Sequence, residues 1–171
     1  SVAQANFDAA RALLREIGAD LRGPESLIMT PDDVAATKIE ATDYYILFMA
    51  SFSDASPAVE LLSKVKGPIL LWSVREPGEI GERLKLNSMC GANLAAHALM
   101  SSGQKVRHLH GNPSEASVKT ALENLLNGNF PSDRAPAHID RELGDEALAN
   151  KAIAALAGRR IGAVGEAPIG F

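Results

Sequence analysis

The sequence predicts an α/β protein built from doubly wound parallel sheets of the Rossmann or flavodoxin-like kind. Three observations point there. Residues 44–50 are a continuous apolar run of the length of a strand buried on both faces, and residues 69–74 read as another buried strand. Segments of helical periodicity separate the runs, and Gly, Pro, Ser and Asn mark each change of period. Strands alternating with helices at this spacing give a parallel sheet with helices on its faces.

Taken in order, the chain opens on a helix. Phe7, Ala10, Leu13, Leu14 and Ile17 recur at helical spacing, and Gly18 is a natural stop. Leu27 to Met29 reads as a short strand. Thr30 then caps a helix that has Pro31 at its first position. After the strand at 44–50, Ser56 and Pro57 open a helix that ends before Gly67-Pro68. The strand at 69–74 runs into a polar loop, and a helix follows over 87–100. A strand is expected at 105–109, helices at 114–126 and 145–157, and a closing strand at 160–164.

The loop at 75–85 holds acidic residues, Pro77 and two glycines, and reads as a crossover between two successive units, residues 1–80 and 81–171. A second interruption at 128–136 reads as a long loop inside the second unit. A parallel unit normally opens on a strand, whereas this one opens on a helix. The expectation is that the first unit lacks its opening strand and the second is incomplete at its carboxyl end.

Composition narrows the function classes. The 171 residues suffice for a sizeable core, and a net charge of −4 with scattered Lys and Arg points away from nucleic acid. No apolar run approaches the roughly 18 residues needed to span a bilayer. The single cysteine, Cys90, cannot form an internal disulfide, and the expected compartment is the cytoplasm. Neither phosphate-binding glycine pattern occurs. The nearest stretch, Gly162-Ala163-Val164-Gly165, lacks the third glycine and the following helix, so no nucleotide cofactor is expected.

The richest stretch joins Trp72-Ser73-Val74-Arg75-Glu76-Pro77 to Leu86-Asn87-Ser88-Met89-Cys90-Gly91. Ligands of open α/β sheets sit where strands end and helices begin. Asn87 and Ser88, at a helix start, can offer side-chain oxygens and free N–H groups to sugar hydroxyls or an anion, or can simply cap the helix. The Trp72 ring can stack on the C–H face of a sugar or pack in the core. Glu76 and Arg75 are polar candidates at the same turn, and solvated loop charge is the plainer reading. Cys90 has no base beside it in sequence and reads as small-residue packing. His108 and His110 face one side of a strand, without the further ligands of a metal site, and read as a surface strand end. His97 reads as packed or half-buried, His138 as a loop residue, and Glu166 as a turn residue or ligand neighbour.

The Leu-Leu-Trp-x-x-x-Glu-Pro turn and the Leu-Asn-Ser-x-Cys-Gly helix start, with Gly165 to Phe171, resemble the amino-terminal and part of the central domain of the L-fucose and L-arabinose isomerase group. The resemblance implies an aldose-ketose isomerase acting on a small-molecule sugar, with Trp72, Glu76, Asn87 and Ser88 on the substrate side. It also implies a homo-oligomer and a manganese ion whose ligands lie outside this segment, so that the segment alone is inactive. Asn-Ser-Met-Cys-Gly stands where arabinose isomerases carry an Asn-Gln pair, which leaves the sugar open. Paired α/β units around a hinge loop also describe a non-catalytic sugar-binding module of the periplasmic-binding kind.

Overall fold

The computed structural model describes residues 1–79, 81–130, 146–160, 162 and 165. They fall in two compact units, one reaching residue 130 and the other containing the last helix. The first unit is an α/β sandwich. Its three strands, β1 (Tyr45–Met49), β2 (Ile69–Ser73) and β3 (Val106–His110), form a parallel sheet in the order β1-β2-β3.

Five helices belong to this unit: α1 (Val2–Glu16), α2 (Pro31–Ala36), α3 (Ser56–Leu62), α4 (Ser88–Ser101) and α5 (Ala116–Leu126). The pleat sends alternate strand residues to opposite faces. Tyr45, Leu47, Met49, Ile69, Leu71 and Val106 meet α3 and α4 through Ala58, Leu62, Ala92, Ala95 and Leu99. On the other face Ile46, Phe48, Leu70, Trp72 and Leu109 meet α1 and α5 through Leu13, Leu14, Val118 and Leu122. The sheet is therefore wound on both faces, as its apolar runs predict. Every residue of β2 is buried, as its central place requires.

Helix boundaries follow local chemistry. The Ser1 hydroxyl accepts from the Gln4 amide to start α1, and α2 carries a full capping box between Thr30 and Asp33 behind Pro31. The strand expected at Leu27 to Met29 does not form. Met29 is 75 % exposed, and its amide donates to the Asp33 carboxylate rather than to a neighbouring strand. Three apolar residues were enough to suggest a strand, but the capping carboxylate took the amide.

The boundary expected between residues 80 and 81 lies in the loop joining β2 to α4, and β2, before it, is the hydrogen-bonded neighbour of β3, the next strand in the chain. The second unit contains α6 (Glu146–Leu156), within the helix expected at 145–157. Of the closing strand expected at 160–164, only Arg160 and Gly162 are described, neither in a strand. His138 and Glu166 lie outside the described residues. No helix among the described residues is long and apolar enough to cross a membrane.

Candidate functional site

The carboxyl ends of β1, β2 and β3 come together with the first turn of α4, and the sequence-predicted residues converge there. Ser88, first residue of α4, is 2 % exposed. Its hydroxyl donates to the Met49 carbonyl at 2.5 Å and accepts from the Val74 amide at 3.0 Å. One side chain thereby ties the ends of β1 and β2 to the start of α4. With its hydrogen and a lone pair committed to the backbone, Ser88 braces the edge rather than reaching toward a ligand.

Glu76 has a similar bracing role. Its carboxylate accepts from the amides of Leu86 at 2.9 Å and Asn87 at 2.7 Å, and from that of Lys85. Burial opposes its ionisation, yet these three donors and the Lys85 charge outweigh it and hold the carboxyl below its usual range. The 75–85 loop is closed on itself by this one side chain. The Phe52 amide donates to the Leu86 carbonyl at 2.6 Å and fastens the same loop to the segment after β1.

Trp72 is 0 % exposed. Its ring lies edge-on to Phe48, centroids 4.9 Å apart, and its indole N–H donates to the Gly111 carbonyl at 2.8 Å. With no exposed face and its single donor satisfied, the ring is core packing, and the expectation that it stacks on a sugar is corrected. Arg75 is not a loosely solvated charge. Its guanidinium makes a bidentate pair with Glu115 at 2.7 and 2.9 Å, and its amide donates to Asn112 Oδ1. The Arg75 guanidinium, aided by the Asn112 amide, holds the Glu115 carboxyl at about 2.

Asn87 is the predicted residue with polar capacity to spare. It takes the left-handed conformation at φ 51°, and its side chain makes no capping bond to α4. Asn tolerates this region better than most residues with a Cβ. Its carboxamide has no hydrogen-bond partner among the described residues, and it is half-buried at the strand ends.

Sequence reasoning passed over Ser73. Its hydroxyl is fully buried and lies 2.7 Å from His108 Nε2 and 2.9 Å from His110 Nδ1. The Met89 sulfur is 4.0 Å from the same oxygen. The expected facing of His108 and His110 to one side is what allows both to reach it. Although the side chain as a whole is exposed, desolvation of the ring, whose Nε2 faces the buried Ser73, and then the neighbouring His110 push the His108 pKa down. The signal available in the sequence was a lone hydroxyl ending an apolar strand, with a His-x-His strand to follow.

Two further expectations are corrected. Cys90 is exposed rather than packed, and His97 is exposed because the buried stripe of α4 runs through Gly91, Ala92, Ala95 and Leu99 on the opposite side. Gly91 itself is a fitted position. A Cβ there would meet the Ser53 backbone N at 3.0 Å and O at 3.1 Å, and Met49 Cε at 2.9 Å.

Among the described residues no three His, Cys, Asp or Glu side chains converge as a metal site requires. The manganese implied by resemblance finds no ligand set among them. A depression of about 320 Å³ near Tyr45, Leu61 and Lys64 lies at the other end of β1 and involves none of the residues above.

No family model matches the chain, and no solved structure matches it. Curated relatives do. The chain is 35 % identical over 106 residues to a sulfoquinovose isomerase of Alkalicoccus urumqiensis, covering 60 % of this chain and 24 % of that protein. It is 32 % identical over 96 residues to a sulfoquinovose isomerase of Priestia megaterium, covering 56 % and 21 %. To one of Clostridium sp. strain MSTE9 it is 30 % identical over 118 residues, covering 68 % and 26 %. The chain thus spans about a quarter of the length of these relatives. In part of its length it is similar to proteins named as sugar isomerases.

Proposed function

We propose that this chain belongs to an aldose-ketose isomerase-like protein, that its substrate is a hexose of the sulfonated kind, and that the carboxyl edge of its sheet contributes substrate-side contacts. The observation that carries the reading is the 30–35 % identity to relatives named sulfoquinovose isomerase. The site supports it in a specific way. Ser88 and Glu76 fix the edge, Trp72 supports it from below, and Asn87 is left with an unpaired carboxamide of the chemistry that recognises sugar hydroxyls. Homo-oligomer contacts and a manganese requirement belong to the proposal. The sensor reading is not favoured, because the relatives carry the names of enzymes.

The test is ketose formation by the gene product from sulfoquinovose, D-glucose, L-fucose and L-arabinose, with manganese and with EDTA. Metal-dependent turnover of one of them is expected. Asn87→Gly, which keeps the left-handed backbone and removes the carboxamide, should raise KM without unfolding the protein. Sugar binding untouched by EDTA and with no turnover of any aldose would sink the enzyme reading.

A further inference from the structure

We propose that His108 and His110, coupled through the buried Ser73 hydroxyl, form a contact site for sugar hydroxyls that presents one hydrogen-bond donor and one acceptor whose roles exchange together. The choice of a sugar as ligand rests on the isomerase-like reading above, whereas the coupling rests on the geometry alone.

The coupling follows from counting hydrogens. Ser73 Oγ carries one hydrogen and lies within bonding distance of two imidazole nitrogens, His108 Nε2 and His110 Nδ1. It can donate to only one of them, so the other must donate to it. The Met89 sulfur, at 4.0 Å, is a poor competitor for that hydrogen. In one arrangement His108 donates through Nε2 and Ser73 donates to His110 Nδ1, which leaves both rings protonated on Nε2. In the other arrangement Ser73 donates to His108 Nε2 and His110 donates through Nδ1, which leaves both rings protonated on Nδ1. The two neutral imidazoles therefore share one tautomer.

The outward atoms are then fixed in antiphase. His108 Nδ1 accepts when His110 Nε2 donates, and the reverse holds in the other arrangement. Neither outward nitrogen has a partner among the described residues; His110 ends β3 and is half-buried, and His108, the middle residue of β3, is exposed, both rings reaching the Ser73 hydroxyl that also meets Met89 of α4. A donor beside an acceptor suits neutral hydroxyls, each of which can take either role. Two protonated rings would leave the buried Ser73 hydrogen without an imidazole acceptor, which disfavours a doubly charged anion receptor. Glu115, close enough to feel His110, is already committed to Arg75.

The test is nitrogen-15 NMR of the imidazoles in this chain, at a pH where both rings are neutral. The expected result is the same tautomer in both rings, and Ser73→Ala should let the two differ. If Ser73→Ala fails to fold, His108→Phe at the exposed ring serves instead and should change the balance of tautomers at His110. Titration with sulfoquinovose or D-glucose should move the outward nitrogens, and His108→Phe should weaken that binding about tenfold, the worth of one hydrogen bond. Opposite tautomers in the wild type would overturn the coupling. Sugar binding that shifts the Asn87 amide and leaves both imidazoles unmoved would overturn this site while leaving the isomerase-like reading intact. An imidazole response to inorganic sulfate and none to D-glucose would also overturn it, in favour of an anion site. The absence of any sugar binding or turnover by the gene product would overturn both readings.

Discussion

Ser88 and Val74 are joined across the sheet edge by a 3.0 Å hydrogen bond from a strand-end amide to a helix-start hydroxyl, and both residues are buried. Ser88→Ala leaves that amide dry and unpaired. A loss of about 1–3 kcal/mol is expected, read as a lower urea midpoint with an unchanged slope. Ser88→Thr keeps the hydroxyl and should recover part of the loss.

Gly91→Ala sets two effects against each other. Ala is favoured over Gly in a helix interior by about 1 kcal/mol. The added methyl would stand 3.0 Å from the Ser53 amide nitrogen and 3.1 Å from its carbonyl oxygen, and backbone yields less readily than the Met49 tip. The clash should win, giving a net destabilisation of about 1–2 kcal/mol, measured by thermal unfolding.

Trp72→Phe removes the indole N–H from the Gly111 carbonyl and leaves a void beside Phe48. Stability should fall by about 1–3 kcal/mol. Since the ring meets no solvent, the KM of any sugar turned over should stay within about twofold of wild type. A large KM change with unaltered stability would restore Trp72 as a sugar contact.

The Arg75–Glu115 pair has a defined acid limit. Glu115 falls from 4.5 to about 2 in the folded protein. Below 4.5 the unfolded chain takes up a proton that the folded chain refuses, so this contribution is complete above that pH and is lost as pH falls toward about 2. Wild type and Glu115→Gln should therefore differ in urea midpoint near neutral pH and converge in strong acid. A constant gap across the range would show that the carboxylate charge is irrelevant.

Much of the fold was legible because its signals are local. The 44–50 and 69–74 runs announce strands, and Thr30 with Pro31 announces a helix, using only neighbours in sequence. Leu27 to Met29 misled because strand formation needs a partner, and a run of three apolar residues says nothing of one. The site was legible only as a region. The partners of Ser73 are 35 and 37 residues away, so their meeting depends on the register that sets Ser73 opposite His110. Trp72 offered a ring without revealing which side would be covered. The positive φ of Asn87 could not be foreseen from a residue that also serves as an ordinary cap.

The Glu76 staple sets the dynamics of the loop before α4. Because one carboxylate holds the amides of Lys85, Leu86 and Asn87, its departure frees all three at once. These protons should show a common opening free energy in deuterium exchange, as one local opening rather than three. Approach to the Asn87 edge would then be timed by the excursions of a single side chain.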